Sequence, residues 1–154
     1  MLSYFKKKPD VVFEIDNPKL SITPNFYDLE AQLNEAEVDY KVVAEGYITF
    51  AGRVFKSDIP LMIGIHSRSA QIEYIEIFRM RSYYLSKDYN ISASFAELSG
   101  ILKKQYGEPT MTSASSDDDR IEQWIMPERG YRIDHYLFDR FELEEHLHIY
   151  LGAF

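Results

Sequence analysis

Ser94-Phe95-Ala96-Glu97-Leu98-Ser99-Gly100-Ile101-Leu102-Lys103-Lys104-Gln105-Tyr106-Gly107-Glu108-Pro109 spells one complete amphipathic helix. Ser94 with Glu97 three residues later has the capping-box pattern at the start. Phe95, Leu98, Ile101, Leu102 and Tyr106 recur at helical spacing and make one apolar stripe. Lys103 and Lys104 suit the negative end of the helix dipole. Gly107 offers a left-handed stop, and Pro109 prevents continuation. The chain on either side reads as strands, so this helix is expected to cover a sheet.

Working outward, Ile121 to Met126 is a short strand holding the single tryptophan, Trp124. Pro127-Glu128-Arg129-Gly130 is a turn, with proline and glycine where their backbone preferences are useful. Tyr131 to Phe138 is its partner strand. A bend over Asp139 to Glu144 leads to a last strand, His146 to Leu151, with Leu147, Ile149 and Leu151 on one parity. Thr110 to Arg120, rich in Ser and Asp, reads as a loop. N-terminal to the helix, Tyr40 to Leu85 reads as a β meander. Its clearest strand alternates Ile59, Leu61, Ile63 and Ile65 against Pro60, Met62, Gly64 and His66. Two such weakly polar faces suggest a strand that is central in its sheet or covered on both sides. Ser86 to Ala93 is a polar connection. Nearer the N-terminus, Val11 to Ile15 is β-prone, Asp16-Asn17-Pro18 is a turn signal, and Phe26 to Ala36 is a short helix with Phe26, Leu29, Leu33 and Ala36 on its apolar face.

The order β-α-β-β-β-β-α-β-β-β predicts an α+β domain spanning 1–154. A single curved antiparallel sheet of about six to seven strands would carry two helices on one face. Residues 1–10 are expected to be a loose terminal segment. A chain of 154 residues buries roughly 70% of its unfolded surface and needs no staples.

Composition bounds the chemistry. There is no cysteine, which excludes disulfides, thiolate metal sites and cysteine nucleophiles, and fits a reducing, cytoplasmic setting. Seventeen Lys and Arg against 25 Asp and Glu leave a net charge of −8. Such a surface repels phosphate backbones, so no nucleic-acid partner is expected, while a basic protein would be attracted. Lys6-Lys7-Lys8 is followed by Pro9-Asp10 rather than by the apolar run of roughly 7–15 residues a secretory signal needs. No stretch reaches the roughly 20 apolar residues of a membrane span, and no membrane partner is expected.

No motif announces a reaction. G-x-S-x-G, P-loop and G-x-G-x-x-G patterns are absent, so neither a catalytic residue nor a cofactor is assigned. Asp117-Asp118-Asp119 lacks EF-hand spacing and reads as a solvated loop. His146 and His148 share one side of their strand. If the bend before them closes a hairpin, His135 would face His148, and three imidazoles could hold Zn²⁺ for a metal hydrolase; a slip of one residue would separate them. Tyrosine is abundant, at 12 of 154 residues. It supplies rigid contact area with a polar tip, which makes Tyr83, Tyr84, Tyr89, Tyr131, Tyr136 and Tyr150 candidates for an interaction surface. Arg68, Arg79, Arg81 and Lys87 form a local basic group that could receive an anion or a partner's carboxylates, or pair with Glu73 and Glu76.

These features point first to a non-catalytic interaction protein, acidic and of the immunity or chaperone type, that masks a basic partner. In outline the element order resembles the class I secretion chaperones, which are acidic dimers, although no motif here is diagnostic of them. A homodimer would also shield exposed strand edges. The alternative is a small-ligand binder or enzyme with a pocket between sheet and helices, near Trp124, Phe138, His66 and His135.

Overall fold

The computed structural model of the chain describes residues 11–25, 29–80, 82 and 90–152. In chain order it contains β1 (Phe13–Ile15), β2 (Leu20–Ile22), α1 (Leu29–Glu35), β3 (Tyr40–Ala44), β4 (Tyr47–Gly52), β5 (Leu61–Arg68), β6 (Gln71–Arg79), α2 (Ile91–Tyr106), β7 (Met111–Ser116), β8 (Asp119–Met126), β9 (Tyr131–Asp139) and β10 (Leu143–Leu151). The fold is α+β, as expected, with two helix segments of more than one residue among the described residues and a large antiparallel sheet. The sheet has eight strands rather than six or seven, in the order β3-β4-β5-β6-β10-β9-β8-β7, and β1 and β2 form a separate hairpin.

The extra strands have local causes. Leu20-Ser21-Ile22 is too short to show a period, yet it pairs with β1 and buries Leu20 and Ile22. The Ser-rich segment read as a loop is instead the edge strand β7, exposed along its whole length. Asp117 and Asp118 form its tight turn into β8. Its backbone bonds to β8 hold it in place, since it buries no apolar side chain.

One apolar cluster joins these elements. Leu61, Ile63 and Ile65 of β5, Ile75 and Ile77 of β6, Leu147 and Ile149 of β10, and Ile133 of β9 line one side of the sheet. Leu98 and Leu102 of α2, Leu29 and Leu33 of α1, and Phe13 and Ile15 of β1 close over them. Each fully buried aliphatic side chain contributes about 1.5–3 kcal/mol, so this cluster is the main drive to fold. Helices α1 and α2 and the β1–β2 hairpin therefore lie on one face.

The predicted main helix is present but starts earlier. Asn90 is its N-cap and accepts a 2.6 Å bond from the Ala93 backbone N–H. Ser94 is buried inside the first turn, where its hydroxyl serves the sheet instead of the helix end. The stop is as read: Gly107 has φ +82° and its N–H donates to the Lys103 carbonyl. Trp124 fastens this end by donating from Nε1 to the Gly107 carbonyl at 3.0 Å. No described helix is long and apolar enough to cross a membrane.

Candidate functional site

Alternation along each strand sorts the polar groups onto two surfaces. On the covered face, His135 of β9 is wholly buried beneath α2 and stacks on Phe95, with ring centroids 4.1 Å apart. Its Nε2 lies 2.7 Å from Glu145 Oε2 and its Nδ1 3.4 Å from Glu122 Oε2. Ser99 donates to Glu122 at 2.8 Å. Ser94 donates to Glu145 and accepts from Arg79 Nε, and Arg79 also meets Glu97. Burial alone would push the His135 pKa down. Hydrogen bonds to Glu122 and Glu145, together with their charges, outweigh burial and hold it above the ordinary histidine range. Burial would likewise raise Glu122, but its bonds to His135 and Ser99 bring its carboxyl below the usual range. The two shifts agree on a buried imidazolium–carboxylate arrangement. Closed under α2 as it is, this network ties helix to sheet.

The other face carries no described helix. Across it, neighbouring strands set aromatic rings against one another. Tyr47 of β4 stacks on His66 of β5 at 4.0 Å, and His66 on Tyr74 of β6 at 4.2 Å. Tyr74 meets His148 of β10 at 4.8 Å. Beyond β10, Tyr136 of β9 stacks on His146 at 5.2 Å, and Phe138 stacks on His146 at the same distance. Tyr150 lies under the Arg132 guanidinium at 4.5 Å, while Arg132 binds Asp134 through both carboxylate oxygens. These rings are half-buried, and among the described residues they are shielded by one another rather than by a second layer. That explains why β5 has two weakly polar faces with only one covered by described residues. Gly64 is part of the design: a Cβ there would stand 2.9 Å from Tyr47 Cε2. Its absence lets Tyr47 cross the strand and place its hydroxyl 3.4 Å from Glu76 Oε2. The same oxygen lies 3.2 Å from His66 Nε2. Burial first, and Glu76 second, raise the pKa of Tyr47 and of Tyr74, which keeps both as phenols. At the rim, Phe141 in the β9–β10 turn is fully exposed.

Several residues singled out in the sequence stand elsewhere. His135 does not join His146 and His148. The register pairs His135 with Leu147, and His148 with Asp134, so the single slip in register puts His135 on the opposite face. Glu76 takes the third place. It is the cross-strand partner of His148, and Glu76, His146 and His148 each offer a ligand atom within 4.8 Å of the others. Among the tyrosines, Tyr136 and Tyr150 lie on the open face. Tyr131 is buried on the covered side against Phe13 and Tyr106. Tyr83, Tyr84 and Tyr89 lie outside the described residues. The basic group does not form as expected, because β5 and β6 are antiparallel. Arg68 sits at their hairpin end with Glu73, 3.0 Å away, while Arg79 is at the far end under α2. Arg81 and Lys87 lie outside the described residues.

Trp124, Phe138, His66 and His135 do not share a cavity: Trp124 and His135 are on the covered face, Phe138 and His66 on the open one. A groove of about 380 Å³ does lie between α1 and the sheet, lined by Leu29, Val42, Ile48, Ile65 and Ile72 among others. Tyr47, Tyr74, His66 and Glu76 were not singled out together in the sequence. The parity of β5 and β6 aligned His66, Tyr74 and Glu76 within their strands, but only pairing joins them. Comparison with protein-family models, with curated proteins and with solved structures found no match.

Proposed function

We propose that this chain is a non-catalytic interaction domain that masks a basic protein partner, and that the open face of the sheet is the docking surface. The observation that carries the reading is the band of half-exposed aromatic rings from Tyr47 to Phe138 on the face the described helices leave uncovered. Rigid aromatic groups supply most of the energy at protein interfaces and lose little entropy on binding. Glu76, Asp134 and Glu144 stand among the rings. Aromatic faces beside carboxylates suit the Lys and Arg side chains of a basic partner, and a net charge of −8 would steer its approach. Phe141 would anchor the rim.

A photo-crosslinking residue placed at Tyr136 or Phe141 tests this in cells. The expected product is a covalent adduct with a basic protein, lost when the crosslinker is moved to the exposed strand β7. Adducts with this chain alone would overturn partner masking in favour of a homodimer, and no adduct at either position would remove the docking face.

A second reading, a small-ligand binder, has the groove beside α1 on its side, since Leu29, Val42, Ile48, Ile65 and Ile72 give it an apolar wall next to polar groups such as Glu30 and Ser67. Ligand-induced thermal stabilisation abolished by Ile48→Trp would favour it.

A further inference from the structure

We propose that Glu76, His146 and His148 form a binding site for a divalent transition-metal ion of the zinc class. Three independent features converge on it. The first is placement: His146 and His148 are two residues apart on β10 and share its open side, and Glu76 is the direct cross-strand partner of His148 on β6. All three therefore rise from adjacent positions of a rigid sheet rather than from loops. The second is reach: the ligand atoms lie within 4.8 Å of one another. A tetrahedral zinc site with bonds of about 2.0–2.1 Å sets its ligand atoms about 3.4 Å apart. Small side-chain rotations close that difference, with no movement of the strands. The third is chemistry: two imidazoles and one carboxylate form the donor set that zinc sites with an open position use. Calcium and magnesium prefer oxygen ligands throughout.

The surroundings supply the outer support such a site needs. His148 Nδ1 lies 3.3 Å from the Tyr150 hydroxyl. Donation from Nδ1 leaves the lone pair on Nε2 for the ion. Tyr150 is itself held beneath Arg132. Glu76 Oε2 is oriented by Tyr47 and approached by His66. His146 packs beside Tyr136 and Phe138, its ring nearly parallel to both. Three protein ligands leave a fourth position for water. The site shares Glu76 with the docking face but does not rest on that reading, because it is tested on the isolated protein.

The test uses untagged full-length protein stripped with a chelator and titrated with Zn²⁺ alone in a calorimeter. The expected result is one saturable ion per chain, abolished by His148→Ala, His146→Ala or Glu76→Gln. Tyr150→Phe should weaken binding by roughly 10–100-fold without abolishing it. Asp117→Asn with Asp118→Asn should leave it unchanged. Co²⁺ should give the intense visible bands of a four-coordinate site. No saturable binding, binding that survives His148→Ala, or binding lost with the Asp117 and Asp118 changes would each overturn the proposal. Should His148→Ala not fold, imidazole nitrogen resonances of the unaltered protein decide the matter. Zn²⁺ must shift those of His146 and His148 and spare His135; shifts at His135 with none at His146 and His148 would refute the site.

Discussion

The two faces of the eight-stranded sheet are made by the same strands; one carries a single histidine and the other three, and they treat them in opposite ways. Under α2, His135 is sealed between two carboxylates and a phenyl ring, and every polar atom of its imidazole has a partner inside the protein. On the open face, His66 and His146 lie among tyrosines with their edges within reach of solvent or ligand, and His148 is set more deeply among the same rings. Burial with charged partners makes a fastening; aromatic stacking without a cover makes a surface. Stability should therefore be concentrated on the first face and binding on the second.

The contrast is sharpest at Glu145. Glu145→Ala leaves His135 Nε2 and the Ser94 hydroxyl buried without this partner. Breaking a buried pair from one side costs about 3–5 kcal/mol, which urea denaturation would register as a lower midpoint. A loss under ~1 kcal/mol would show that the network is not a fastening. Tyr74→Ala and Tyr136→Ala remove rings of comparable size from the open face. Each should cost no more than about 1.5 kcal/mol beyond the area it shields, while crosslinking to a partner falls. A stability loss as large as that of Glu145→Ala would erase the distinction between the faces.

The smallest effect is the response to pH, and its sign differs between the faces. The folded-state pKa of His135 is raised above 6.5, so its contribution is complete below the unfolded value and is lost as pH rises through the folded value. Glu122 is lowered from 4.5, so its contribution is present above that value and is lost as pH falls through the folded one. Their pairing is thus at full strength between 4.5 and 6.5. For His148, burial disfavours the charged form and lowers its pKa. Its contribution is present above 6.5 and is lost as pH falls through the folded value. In metal-free protein, imidazole resonances followed by NMR should titrate above the ordinary midpoint at His135 and below it at His148. The reverse order would contradict the geometry of both sites.

Much of the scaffold could be read locally. The stripe from Phe95 to Tyr106, the Gly107 stop and the turn at Pro127 to Gly130 all stand where their residues implied. Misreadings have particular causes. Ser94 looked like a cap because its spacing to Glu97 is right, but Asn90 starts the helix earlier and frees Ser94 for Arg79 and Glu145. The Ser-rich segment before Asp117 lacks any apolar period because β7 is an edge strand with both sides wet. Arg68 and Arg79 are near in the chain, but the antiparallel β5–β6 hairpin sets them at opposite ends.

By itself the amino-acid order determined which residues of a strand share a side, because side chains alternate with period two whatever the strand's neighbours. His146 with His148 could be paired on those grounds, and so could Leu147 with Ile149. Only the tertiary structure decided that β6 lies beside β10, which sets Glu76 against His148, and that α2 covers the side holding His135. Strand neighbours are chosen by contacts between distant parts of the chain, and a register shift of one residue exchanges the faces. A local pattern cannot carry that information.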